Sequence, residues 1–249
     1  MESTAINNPS TLKSAKPTHM RILVWDVPVR IFHWALAASF ITAFVTSESE
    51  VFRNVHVVSG YLMLALIVFR VVWGFVGTRH ARFTDFVRGP GAVVKYLRSI
   101  VNGNPEHHVG HNPAGALAIM LLLLLGVGTV ASGWMTFNEI GGDALGELHE
   151  GIATTMLAVV VVHVLGVIVS SFLHRENLVR SMVTGYKDGP REEGIRQRRG
   201  IIAIALVAVL GWFGWGLTQG QFPGLLDANA ASQQAQHGDR GGHGEHDDD

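Results

Sequence analysis

The stretch LHEGIATTMLAVVVVHVLGVIVSSFL, residues 148–173, decides the fold class. It is long enough to cross a bilayer, because a spanning helix needs about 20 mostly apolar residues. His163 lies inside it, between Val162 and Val164. An ionisable side chain within such a segment is costly to bury and indicates a functional site. The stretch therefore predicts a membrane helix that carries a site.

Four further segments are long and apolar enough, or nearly so, to span a membrane. They run from about Val29 to Ser47, Val55 to Val76, Ala114 to Met135 and Gly200 to Thr218. Asp26 is the predicted N-cap of the first, and Pro28 lies in its first turn. Only 16 % of the residues are charged, against about 25 % in soluble domains. We therefore expect an all-α membrane protein, a four-helix transmembrane bundle plus a fifth transmembrane helix.

The composition also excludes several kinds of site. There is no cysteine, which rules out disulfides, thiolate metal sites, iron–sulfur clusters and covalent heme attachment. Any metal or heme must be held by other side chains, and 13 histidines are available. The net charge of −1 gives no reason to expect a nucleic acid partner.

The regions outside the spans complete the predicted organisation. Residues 1–20 form a polar arm without the apolar core of a signal peptide. Residues 21–187 form the four-helix domain, with an amphipathic helix over about Phe86–Val101 at the membrane surface. Residues 188–218 hold a basic linker and the fifth helix. Residues 219–249 are an acidic, His-containing tail that we expect to be disordered.

Lysine and arginine predict the orientation. If five helices span the membrane, 16 of the 19 basic residues fall on one side, in the N-terminal arm and in the second and fourth connections. Positive residues concentrate on the cytoplasmic side. We therefore expect a multi-pass protein of the bacterial inner membrane, with a cytoplasmic N-terminus and a periplasmic C-terminal tail.

Four histidines fall at two depths in this topology. His149 and His163 are 14 residues apart, which places them on one helix face within about 40° and about 21 Å apart along the axis. His56 is expected at the outer level with His149, and His33 at the cytoplasmic level with His163. A six-coordinate heme iron needs two axial ligands. The spacing therefore predicts two b-type hemes (two heme b), held by His56/His149 and His33/His163.

Three other residues are candidate heme-binding residues. Arg70 follows His56 by 14 residues, so it shares that face at the depth of His163 and suits a heme propionate; snorkelling to the interface is the alternative. Arg30 lies three residues before His33 and suits either a propionate or a positive-inside anchor. Gly60, four residues after His56, leaves room for a porphyrin or simply for helix packing.

The remaining histidines and acids have weaker assignments. His80 and His111 are candidates for a quinone pocket or a propionate contact, whereas His107 and His108 suit a solvated loop and His174 the interface. Four acidic residues lie near the outer end: Glu139, Asp143, Glu147 and Glu150. They are candidates for accepting protons from quinol, or they simply reflect the charge bias of the outer side. The tail histidines His237, His243 and His246 suit weak metal binding or, more simply, a solubilising tail.

Several motifs, in this order, resemble the prokaryotic cytochrome b561 family. They are RIFHW (30–34), HVVSG (56–60), RVVWGF (70–75), RHARF (79–83), GHNP (110–113) and the His149/His163 pair. This family includes the b-type cytochrome subunits of nickel–iron hydrogenases and similar subunits of formate dehydrogenases. The resemblance implies a four-helix di-heme core that exchanges electrons with quinone, with axial ligands at His33, His56, His149 and His163. The fifth helix and the tail depart from the four-helix pattern.

Three functions compete at this point. The first is transmembrane electron transfer between the quinone pool and a partner redox protein, such as a c-type cytochrome or a hydrogenase-like enzyme. The second is a self-contained oxidoreductase, such as a quinone-linked superoxide oxidase. The third is a metal transporter or sensor that uses the histidines directly. Membrane lipid surrounds the protein in each case, and no catalytic acid–base pair is evident.

Overall fold

A computed structural model describes residues 20–222, 225 and 226. The predicted arm before residue 20 and most of the predicted tail lie outside the described residues. The elements, in chain order, are strand β1 (Met20–Leu23), helices α1 (Val27–Thr46), α2 (Arg53–Val76), α3 (Phe83–Phe86), α4 (Pro90–Val101), α5 (Pro113–Phe137), α6 (Asp143–Leu173) and α7 (Leu178–Thr184), strand β2 (Tyr186–Gly189) and helix α8 (Gly200–Thr218).

Five of these helices are long and apolar enough to cross a membrane: α1, α2, α5, α6 and α8. They coincide with the five predicted spans, and the all-α membrane fold is confirmed. The protein is therefore a multi-pass membrane protein. The Asp26 side chain accepts a hydrogen bond from the backbone N–H of Val29 at 2.8 Å, as expected of the N-cap.

Two boundaries differ from the prediction. Helix α6 begins at Asp143 rather than near Leu148, so it includes a polar turn that hydropathy alone does not mark. The amphipathic helix begins at Pro90 instead of Phe86. Residues 83–86 form the separate helix α3, and proline is favoured in the first turn of a new helix. Tyr96 of α4 is buried, and α4 packs against α5.

The spanning helices pack as two hairpins. Helix α1 packs along α2, and α5 packs along α6, while α2 joins the hairpins through α5. Helix α8 lies against α1 and α2, so the fifth helix extends the bundle. The end where α1 begins is called the inner end below, and the opposite end is called the outer end.

An apolar layer closes the middle of the bundle. Phe40, Met63 and Met156 pack together there, and each is less than 7 % exposed. Met156 is seven residues from both His149 and His163, and Met63 is seven residues from His56. The layer therefore separates two histidine levels.

A small cap closes the inner end. Strands β1 and β2 pair antiparallel, with Ile22 opposite Lys187. The buried Asp26 carboxylate also accepts hydrogen bonds from Trp73 Nε1 at 3.1 Å and from Thr78 Oγ1 at 2.6 Å. One carboxylate therefore ties the start of α1 to the end of α2.

Candidate functional site

At the outer end, His56 of α2 and His149 of α6 face each other across the gap between the hairpins. Their ring centroids are 6.1 Å apart, and the ring planes are inclined at 84°. Both side chains are partly buried. The structure thus brings together the pair that the helix topology predicted.

Both rings are held through the same nitrogen. Nδ1 of His56 lies 2.8 Å from the Ala43 carbonyl oxygen, and Nδ1 of His149 lies 3.0 Å from that of Thr129. Because a carbonyl oxygen only accepts, Nδ1 must carry the proton in both neutral rings. No hydrogen bond to Nε2 of either ring is found in the described part of the chain. Each Nε2 therefore keeps its lone pair for a metal, the usual arrangement of a ligating histidine.

Each of these carbonyls also accepts a hydrogen bond within its own helix, Ala43 from Thr46 Oγ1 at 3.3 Å and Thr129 from Ser132 Oγ at 3.1 Å. A carbonyl oxygen has two lone pairs and can accept the imidazole N–H as well. Thr129 lies within α5, and the residue one turn later is Gly133. A Cβ at Gly133 would lie 2.8 Å from Cε1 of His149. The missing side chain lets the imidazole reach the helix backbone.

A cavity of about 320 Å³ surrounds the outer pair. Its walls come from α1, α2, α5 and α6, and they include Phe40, Phe44, Met63 and Phe137. Gly60 lines it as well, and a Cβ built there would meet no atom within 4 Å. The space beside Gly60 is therefore open, as a porphyrin packed against this helix would require.

The outer pair fits the axial coordination of a heme iron. Two metal–nitrogen bonds of about 2 Å each, together with the distance from each nitrogen to its ring centre, give a separation on the order of 6 Å. The observed 6.1 Å agrees with this value. Two imidazole donors in a cavity walled by Phe40, Phe44, Met63 and Phe137 suit a b-type heme.

Within the described residues, the rings of the inner pair, His33 and His163, are not in contact as those of the outer pair are. The two histidines are near enough for their charges to interact. Nδ1 of His33 is buried and has no hydrogen-bond partner there. The ring packs edge-on against Trp34, with centroids 5.0 Å apart. An unpartnered buried imidazole nitrogen is a candidate metal ligand.

Arg70 lies at the inner level and is 3 % exposed. Its guanidinium stacks over Phe83 and Phe86, at 5.0 and 5.7 Å from the ring centroids. Among the described residues no carboxylate lies within 4 Å of it, and its Nη1 has no hydrogen-bond partner. A buried cation with no carboxylate in contact among these residues suits an anionic ligand group such as a propionate.

Arg30 has a structural partner. Its Nη2 donates to the backbone carbonyl of Val183, which ties α1 to α7. Its Nε is buried and has no partner in residues 20–222. The side chain therefore anchors the inner cap through Nη2, and its Nε–H remains available as a hydrogen-bond donor.

His80 and His111, the two weaker candidates, have different environments in the structure. His80 is buried and bonded, with Nδ1 3.1 Å from Asp85 and Nε2 2.8 Å from the Glu193 carbonyl oxygen. His111 packs between Trp25 and Phe86, and its buried Nδ1 has no partner in the described chain. Burial holds the pKa of His111 well below its usual value, and nearby Arg70 adds to the effect.

The acidic residues of the outer end also differ in their position relative to the outer cavity. Glu150 lines the outer cavity, and so does Glu48, a residue that the sequence analysis did not single out. Glu139, Asp143 and Glu147 are not among the residues that line this cavity. Two carboxylates are therefore available at its wall.

The sequence analysis also missed the residues that orient His149. Ser132 Oγ lies 3.2 Å from His149 Nδ1 and, with Thr129 and Gly133, forms the surface on which the ring rests. The α5–α6 turn lies about midway between Gly133 and His149. The two residues therefore fall at the same height in the helical hairpin, and this contact could have been predicted from their distance to the turn.

Comparison with known proteins places the chain among membrane cytochromes. The family model described as prokaryotic cytochrome b561 matches residues 24–185. A probable Ni/Fe-hydrogenase B-type cytochrome subunit of Rhizobium leguminosarum bv. viciae is 25 % identical, over 66 % of this chain and 87 % of the relative. The corresponding proteins of Cupriavidus necator (24 %, over 70 % and 88 %) and Rhodobacter capsulatus (21 %, over 67 % and 81 %) are similar. No solved structure gives a significant match.

Proposed function

Because the chain belongs to the prokaryotic cytochrome b561 family, we propose that it binds two b-type hemes and passes electrons between the quinone pool and a partner redox protein. Membership itself implies heme b and membrane electron transfer. The hydrogenase subunits among its relatives support a nickel–iron hydrogenase as the partner. A c-type cytochrome is the other partner of suitable chemistry.

The observation that carries this proposal is the outer pair of histidines. Each ring is fixed by a backbone carbonyl at Nδ1, and both histidines line the cavity between the hairpins. When bound, heme b supplies a reversible one-electron iron couple whose potential depends on its ligands and their surroundings. The hydrogen bond at Nδ1 raises the basicity of each imidazole, and that basicity tunes such a couple.

The chain's own residues then control the environment. Apolar side chains of all four bundle helices line the outer cavity, together with Glu48 and Glu150. Phe40, Met63 and Met156 separate this cavity from the inner level. At that level, Arg70 supplies a buried positive charge, which suits one propionate and favours an added electron nearby.

The second heme is assigned to His33 and His163. His163 lies about 21 Å from the outer level along α6 by the usual helical rise, and both histidines are partly buried within a span. Among the described residues, Nδ1 of His33 and Nη1 of Arg70 are buried without a hydrogen-bond partner, which supports a ligand at this level. We assign the inner end to the cytoplasm of a bacterial inner membrane, because most lysines and arginines lie there.

The heme assignment is tested by spectroscopy on the purified full-length protein. We expect a b-type α-band in the reduced-minus-oxidised spectrum and two hemes per chain by chemical quantitation. His56→Ala and His149→Ala should each remove the same heme, and His33→Ala and His163→Ala should remove the other. His108→Ala, outside the spans, should leave both. One heme per chain in the unmodified protein contradicts the two-heme assignment.

The electron donor and the partner protein are tested separately. A quinol analogue should reduce the purified protein, and a nickel–iron hydrogenase should co-purify with it from a native membrane. Reduction by quinol without any partner, accompanied by rapid oxidation of superoxide, would instead favour the self-contained oxidoreductase.

A further inference from the structure

A second cavity lies at the inner end, where α6 leaves the membrane. Its volume is about 440 Å³, and polar side chains from β1, β2, α7 and the chain after α6 line it. None of its lining residues lines the outer cavity. Four of them are basic: Arg21, Arg175, Arg180 and Lys187.

The charges of this cavity do not cancel. Nζ of Lys187 lies 3.0 Å from Glu176, and Arg21 stacks on Tyr186 at 4.7 Å, opposite Asp188 in the sheet. Arg175 and Arg180 have no carboxylate within 4 Å among the described residues. The cavity therefore keeps a surplus of two guanidinium groups.

Two histidines, His107 and His174, also line the cavity. The rings of His107 and His174 meet edge-on, with centroids 5.5 Å apart. Burial lowers the pKa of His174, and the neighbouring His107 lowers it further. The positive character therefore comes from arginine, which stays charged at every physiological pH.

The surroundings of the cavity are apolar and exposed. Phe172 and Leu173 end the spanning helix with exposures of 77 % and 41 %, and Val179 and Val183 of α7 are each 51 % exposed. Leu173, Val179 and Val183 are adjacent in the chain to His174, Arg180 and Thr184, which line the cavity. The end of a membrane span is where lipid headgroups meet acyl chains.

We propose that this cavity binds the phosphate of an anionic phospholipid headgroup. Arg175 and Arg180 hold the phosphate oxygens, because guanidinium matches phosphate in charge and in hydrogen-bond geometry. The acyl chains follow Phe172 and the apolar face of α6. A free phosphate ion shares the headgroup chemistry, but it makes no use of the apolar border. Basic pockets at this membrane level are typical sites for anionic headgroups.

The test uses the full-length, heme-loaded protein in mixed micelles with phosphatidylglycerol or phosphatidylcholine. Native mass spectrometry then counts the retained lipid. We expect phosphatidylglycerol to be retained at least tenfold more than phosphatidylcholine. Arg175→Gln/Arg180→Gln should abolish that preference, whereas Arg88→Gln/Arg98→Gln, with the same charge change on exposed arginines of the same end, should keep it.

Three results would overturn the proposal. They are equal retention of the two lipids, an equal loss in both double variants, and a thermal stabilisation by inorganic phosphate as large as that by phosphatidylglycerol at matched ionic strength. An unchanged heme spectrum shows that a variant is folded. If the double variant does not fold, Arg180→Gln alone should lower phosphatidylglycerol retention severalfold, and unchanged retention in that variant counts against the site.

Discussion

The imidazole of His149 occupies the space that a side chain at position 133 would fill. The distance from a Cβ at Gly133 to Cε1 of His149 would be 2.8 Å, below ordinary contact. The ring is also bonded to the Thr129 carbonyl and cannot retreat without losing that bond. Position 133 therefore sets the orientation of the outer ligand.

We expect Gly133→Ala to displace the His149 ring and to reduce occupancy of the outer heme severalfold. Heme content per chain should fall from two toward one, as measured by chemical quantitation. Gly128→Ala on the same helix is the control, because a Cβ there meets Ile152 at 3.5 Å, an ordinary contact. Full heme content in Gly133→Ala would show that the ring does not need this space.

Gly60 tests the porphyrin position itself. A Cβ at Gly60 meets open space in the cavity, so Gly60→Ala should be tolerated by the protein without heme. Gly60→Leu should fill the space beside the porphyrin and lower heme occupancy at the outer level severalfold. Gly166→Leu, at an equally open position of α6 that does not line the cavity, should retain both hemes. Equal loss in the two leucine variants would contradict the specific role of Gly60.

Arg70 should raise the midpoint potential of the heme proposed at the inner level. Removing its buried charge in Arg70→Gln should lower that potential by roughly 60 mV, which corresponds to a tenfold loss in relative stabilisation of the reduced form. Arg70→Lys should keep most of the effect, since it retains the charge. Redox titration followed at the α-band measures both. A potential that does not move in Arg70→Gln would place the guanidinium away from the heme.

Asp26 should hold the inner end together. Asp26→Ala removes an acceptor shared by Val29 N–H, Trp73 and Thr78, and bonds to a charged group contribute about 1.5–3 kcal/mol each. We expect the thermal midpoint to fall by several degrees, with a smaller fall for Asp26→Asn. Glu139→Gln, on an exposed side chain, is the control and should not change it. Equal midpoints in all three would contradict this role.

His111 should make the protein less stable in acid. Burial keeps its pKa well below the usual value in the folded protein, so the unfolded chain binds more protons below about pH 6.5. The free energy of unfolding should therefore fall as pH drops from 7 to 5. His111→Asn should reduce that slope, measured as the thermal midpoint against pH. An identical slope in the variant would mean that other groups cause the loss.

The sequence predicted the parts of this protein that depend on local pattern. The five helices follow from apolar runs of sufficient length, and the histidine levels follow from 14-residue spacing on known helix directions. The boundaries moved only where polar turns join the helices, as at Asp143. The pairing of His56 with His149 could be predicted because the topology allowed few partners.

Other features depend on contacts between distant segments. Strands β1 and β2 pair residues more than 160 positions apart, such as Ile22 and Lys187, and neither strand has a marked pattern of its own. The use of Asp26 by Trp73 and Thr78 also depends on how α1 meets α2. The polar cavity around Arg175 and Arg180 forms only when the inner cap is assembled.

The layer of Phe40, Met63 and Met156 has an electrical consequence. It is apolar and closely packed, so the membrane voltage falls across it rather than across water. Moving one elementary charge through the whole membrane requires about 2.3 kcal/mol per 100 mV. Two levels about 21 Å apart span roughly two thirds of a 30 Å core. In the di-heme arrangement proposed above, an electron that travels between these levels exchanges energy with the membrane potential, and the membrane voltage favours one direction of transfer.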